Sequence, residues 1–182
     1  MDIYFLLLLV HIVGTVLGVG GATMIEVHLN KALRDSKMDT VERDFLGSDF
    51  LITRVGMFLA LVSGIGFIVT YAVNDQLFRL DNGVFWAKML IFVIIMVNAY
   101  LLHVHKIGLY WGSAFSFISW WTVLVFGMFL TNGIRFFPTD TLLSCAALMA
   151  LYGITVVIGA RILHALRERM KMSSGSDAQT TA

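Results

Sequence analysis

Long apolar runs alternate with short polar ones along almost the whole chain. Five runs, at about 3–29, 50–73, 84–105, 113–131 and 140–163, are each long enough to cross a bilayer. A hydrocarbon core of about 30 Å takes about 20 residues of helix at 1.5 Å rise per residue. Hydrocarbon offers the backbone no water, so each run predicts an α-helix. The expected fold is all-α, a polytopic membrane protein with a bundle of five transmembrane helices in one domain, 1–172.

The polar stretches carry their own local signals. Between the first two runs, Asp39 and Glu42 have the spacing of a capping box. They predict a short interfacial helix, with Ser48 or Asp49 as the N-cap of a separate second span. Asn82-Gly83 closes the next loop, and the single proline, Pro138, stands where the fifth span starts. The fifth helix is expected to continue to about Lys171, and the small polar residues 173–182 read as a disordered tail.

Small residues recur every fourth position on the first two spans, as Gly14, Gly18 and Ala22 and as Gly56, Ala60 and Gly64. Such stripes let helix backbones approach closely, which is a main source of association in lipid. They predict that the two spans lie antiparallel with the stripes facing. The same stripes would equally serve a homo-oligomer.

Composition reinforces the membrane reading, since 58% of residues are hydrophobic against roughly half or less in soluble domains. Net charge decides nothing, but its distribution does. Lys31, Arg34, Lys37, Arg43, Arg54, Lys106, Arg161, Arg167, Arg169 and Lys171 fall on one side of the bilayer, and only Arg79, Lys88 and Arg135 on the other. The positive-inside rule then predicts a cell inner membrane protein with its N-terminus outside and its C-terminus cytoplasmic. Asp2 precedes the first run without any Lys or Arg, so that run reads as a retained helix and not as a signal peptide. No segment reads as binding nucleic acid. Cys145 alone forms no intrachain disulfide. Six methionines in the spans, Met24, Met57, Met89, Met96, Met128 and Met149, share no face and read as packing.

Polar side chains inside the spans are the candidates for chemistry. His11 lies eight residues into the first span, on the order of 12 Å deep at 1.5 Å per residue. At 100° per residue it shares the face of Gly14 and Gly18. Two readings stand: a haem or metal ligand or proton-handling group, or a neutral imidazole bonded to a neighbour's hydroxyl or carbonyl. Lys88 follows Trp86 one turn into the third span. It either snorkels to the headgroups or turns inward near His11 to meet an anion such as a haem propionate.

A second set comprises Glu26, His28, His103, His105 and His164, all expected near the opposite face. It is a candidate metal or haem site, or a group of interfacial histidines bonded to water and headgroups. His103 and His105 are two apart, so on one helix they point about 200° from each other. Asn98 is expected to bond across to another helix, with Ser113, Ser116, Ser119 and Thr122 as candidate partners. Trp120 and Trp121 lie deeper than an aromatic belt and either fill space or pack on a cofactor.

Leu9-Val10-His11-Ile12-Val13-Gly14 through Gly20-Gly21 resembles the first span of small bacterial membrane proteins of the copper-resistance D type and related uncharacterised integral membrane families. There a histidine opens the helix and a Gly-Gly pair follows about ten residues later. Trp86-Ala87-Lys88 and its apolar helix resemble, more weakly, the Trp…Lys helix of the membrane protoporphyrinogen oxidase family. The first span here ends in Met24-Ile25-Glu26-Val27-His28, where that oxidase family has an arginine- and proline-containing end. The resemblance implies haem association for His11 and Lys88 alone. The expected function is thus a membrane protein that binds haem b or a similar redox cofactor. A transporter or permease subunit is the first alternative, and a non-catalytic assembly subunit the second.

Overall fold

The computed structural model describes residues 2–34, 39–137 and 139–180. Lys37, Pro138 and residues 181–182, used above, lie outside them, as do the side chains of Arg34 and Lys171. The elements are α1 (Ile3–Arg34), α2 (Thr40–Val73), α3 (Gly83–His103), α4 (Leu109–Thr131) and α5 (Thr141–Thr180), with one 3₁₀ turn, Leu77–Leu80, ahead of α3. All five helices are long and apolar enough to span a membrane, and no strand occurs among the described residues. Large apolar side chains such as Phe5, Val16, Phe58, Leu90 and Ile154 point outward. The all-α bundle therefore has the build of a multi-pass membrane protein with a lipid-facing surface.

The helix boundaries depart from the sequence reading in instructive ways. The capping box is present, with the Asp39 carboxylate accepting from the Thr40 N–H (2.6 Å) and the Glu42 carboxylate accepting from the Asp39 N–H (3.2 Å). It opens α2 itself and not a separate interfacial helix. Ser48 and Asp49 are helix interior. The Ser48 hydroxyl donates back to the Asp44 carbonyl (3.1 Å), and Asp49 bonds His28. The intervening Gly47 costs about 1 kcal/mol relative to alanine, too little to end a helix. At the other end of the chain α5 is helical to Thr180 and runs through the segment expected to be disordered.

Helices α1 and α2 pack along each other, as the two stripes predict. A Cβ added to Gly14 would lie 2.6 Å from the Ala60 nitrogen, and one on Gly56 would lie 2.4 Å from the Gly18 nitrogen. The register departs at Gly64, which has nothing within 4 Å of such a Cβ. It faces a cavity and not a helix.

Helix α3 is buried along Val84, Ala87, Ile91, Ile95 and Asn98, a spacing of three and four that keeps one face inward. That face meets Trp120, Val123 and Phe126 of α4 and Leu148 and Tyr152 of α5. Helix α4 thus lies centrally, in contact with α1, α3 and α5.

Polar bonds pin the helix pairs. The Asn98 side-chain amide donates to the Gly112 carbonyl (3.0 Å), so its partner is backbone and not one of the α4 serines. Ser119 and the Tyr152 hydroxyl, 2.8 Å apart, join α4 to α5.

Candidate functional site

For description, the end of the bundle at which α1 begins is the upper end. Between α1, α2, α3 and α4 an upper cavity of 500 Å³ opens there, within the range of small-molecule and cofactor sites. Its walls are mainly apolar and aromatic, with Leu8, Leu61, Phe67, Phe85, Phe92 and Val123 among them. Gly64 and Gly127 also line it and supply open space where a larger residue would fill it. The charged residues on its wall are Lys88, Arg79 and Arg135, and no carboxylate is among the lining residues. A pocket charged in this way favours an anion on an apolar body.

The structure brings His11 and Lys88 together in this cavity. Lys88 Nζ lies 3.2 Å from His11 Nε2, although the two residues are 77 apart in sequence. On the other side of the ring, His11 Nδ1 is 2.9 Å from the Ser63 hydroxyl oxygen. The carbonyls of Leu59 (2.7 Å) and Ala60 (3.2 Å) both stand within reach of that hydroxyl's proton. In the tautomer with its proton on Nδ1, His11 donates to Ser63 and its Nε2 accepts from the Lys88 ammonium. Fixing one ring nitrogen by a hydrogen bond in order to present the other is the usual arrangement around a ligating imidazole. Of the two sequence readings of His11, the geometry matches the imidazole bonded to a neighbour's hydroxyl. Lys88 turns inward and does not snorkel.

Trp120 forms a wall of the upper cavity and of a second, lower cavity of 330 Å³. It is 0% exposed and stands midway along α4. Its six-membered ring lies over Gly18, where an added Cβ would be 2.3 Å away. Its indole nitrogen is buried without a hydrogen-bond partner, and Phe92 packs edge-on against the ring at 6.0 Å. Sequence reasoning noted its depth but not that it stands between two cavities.

The lower residues do not form one centre. His28 Nδ1 is 2.5 Å from the Asp49 carboxylate and ties α1 to α2. His164 packs against the rings of Tyr110 and Trp111. His103 and His105 both line the lower cavity. They do not stand 200° apart on one helix, because α3 ends at His103 and His105 sits beyond it in left-handed backbone (φ 57°). Among the described residues no group of three or more His, Cys, Asp or Glu is placed to hold a metal ion.

Glu26 has a different role from the one its position suggested. It is 4% exposed and forms an ion pair with Arg167, itself 2% exposed. The Ser113 hydroxyl (3.2 Å) and the Asn30 amide (3.2 Å) donate to the same carboxylate. Arg167 also donates to Asn30 Oδ1 (2.8 Å) and to the Tyr110 carbonyl (2.9 Å), and its guanidinium lies 4.0 Å from the centre of the Tyr110 ring. The cluster joins α1, α4 and α5. An acid within an apolar run signals that a partner is required, but the sequence gives no means of choosing Arg167 from the many lower cations.

Comparison with family models, with characterised proteins and with solved structures yields no match to this chain.

Proposed function

We propose that the chain is a redox-cofactor-binding membrane protein whose upper cavity takes haem b. The observation that carries this reading is the meeting of His11 and Lys88 from separate helices in an apolar cavity whose charges are all positive. The residues fit such a group. Haem b is a flat apolar ring with two carboxylates, and the cavity offers aromatic walls, an imidazole hydrogen-bonded through Nδ1, and three cations. Bound there, haem would supply one-electron redox chemistry.

His11 Nε2 is the ligand atom in this reading. Lys88, whose Nζ lies 3.2 Å from His11 Nε2, would hold a propionate as a cation. Arg79 and Arg135 complete the anion recognition. Protein purified from cells fed a haem precursor should show a Soret band. His11→Ala should abolish or shift it, Lys88→Ala should weaken it, and His164→Ala should leave it unchanged. A colourless protein that also fails to take up added haemin would refute the assignment.

A permease reading draws on one observation, that a second cavity approaches the first from below at Trp120. Trp120→Ala would then raise the leak of an anionic dye across proteoliposomes, whereas a haem site predicts no flux. The finer localisation we infer is a bacterial inner membrane with the upper end outside, on the Lys and Arg distribution. The α1 stripe is occupied by α2 and Trp120 within the chain, so a homo-oligomer would use another face.

A further inference from the structure

The lower cavity has the build of a lipid site. It lies between α1, α2, α3 and α4, and runs from Trp120 at its floor to Arg54, His103 and His105 at its mouth. These three mouth residues are exposed and lie at the Lys- and Arg-rich end of the bundle. Arg54 makes no ion pair among the described residues. The interior above them is apolar, formed by residues such as Ala22, Ile25, Met57, Ile95 and Ala99. From Leu102 to Ile95 the wall spans seven residues, on the order of 10 Å of depth at 1.5 Å per residue. No carboxylate is among the lining residues, although Asp49 and Glu26 lie nearby on the same helices with their charges engaged by His28 and Arg167.

We infer that the lower cavity binds an anionic phospholipid, its phosphate held by Arg54 with His103 and His105 and one acyl chain reaching inward to Trp120. The charge at the mouth excludes a zwitterionic lipid as the preferred occupant. An unpaired guanidinium with imidazole donors around it recognises a phosphodiester that carries net negative charge, and a choline group would bring a second positive charge beside Arg54. Basic pockets between helices at the positively charged end of a membrane protein are where anionic headgroups bind. The shape of the cavity excludes a free phosphate ester, which would leave the apolar depth unfilled.

Trp120 offers a direct test, because a residue with no exposed surface meets a lipid chain only if that chain enters the cavity. The protein would be reconstituted in bilayers containing either phosphatidylglycerol or phosphatidylcholine brominated in the acyl chains, at equal mole fraction. The Trp120 signal is the emission of the wild type minus that of Trp120→Phe. Brominated phosphatidylglycerol should quench it at least twofold more than the choline lipid. Arg54→Gln should remove that preference, and Ala99→Phe, which fills the cavity, should remove quenching by both lipids. Equal quenching by the two lipids in the wild type, or a preference that survives Arg54→Gln, overturns the inference.

A second measurement needs no Trp120 variant. In neutral detergent, phosphatidylglycerol should raise the melting temperature of the wild type but not of Arg54→Gln, and phosphatidylcholine should raise neither. A rise of equal size with soluble glycerol phosphate would show that the chain is dispensable and would overturn the lipid assignment.

Discussion

At the scale of single residues, Ser63 decides what His11 presents. The serine hydroxyl oxygen, 2.9 Å from His11 Nδ1, holds that side of the ring. Ser63→Ala should keep the fold and weaken haemin binding by roughly 10- to 100-fold, as loss of a hydrogen bond behind a ligating imidazole does. A haemin titration followed at the Soret band measures it, and unchanged affinity would show that Ser63 does not act through His11. Two glycines of the stripes separate packing from binding. Gly18→Leu drives a side chain into the Trp120 ring and should cost about 1–3 kcal/mol by overpacking, read as a lower melting temperature. Gly64→Leu projects into the open upper cavity, so it should leave the melting temperature nearly unchanged and abolish haemin uptake. His11 was legible because a mid-membrane imidazole on a glycine-lined face is rare and costly. Its partner Ser63 was not, because nothing in local sequence marks which hydroxyl on α2 will stand opposite.

At the scale of helices, the apolar runs were readable because length and hydropathy alone fix a spanning helix. Where an apolar run continues into a polar helix, the boundary carries no such mark. Hence α2 begins at Thr40 and not near Phe50, and α4 at Leu109 and not near Ser113. The Glu26–Arg167 cluster is the element-level feature that periodicity misses, since it depends on α5 passing beside the end of α1. Removing one member leaves a buried charge alone, a change that typically costs 3–5 kcal/mol. Glu26→Gln and Arg167→Met should each lower the melting temperature markedly. The double variant Glu26→Met/Arg167→Met should recover most of the loss, because no charge is then left unpaired. A double variant as unstable as the sum of the two singles would mean that the residues act separately.

At the scale of the whole molecule, the charge asymmetry predicts that a reporter active only in the cytoplasm gives full signal when fused to the C-terminus; signal from a periplasmic reporter there would reverse the orientation. The sequence made the five-helix count and the α1–α2 pairing legible, through hydropathy and through matched small residues. It did not reveal the cavities, since empty volume arises from how α3 and α4 sit against the hairpin and leaves no residue signature of its own. The shared wall at Trp120 has a thermodynamic consequence. One indole bounds both spaces, so any displacement of it by an occupant above alters the shape offered to an occupant below. Such linkage is reciprocal by necessity: whatever factor one ligand applies to the affinity of the other is returned unchanged.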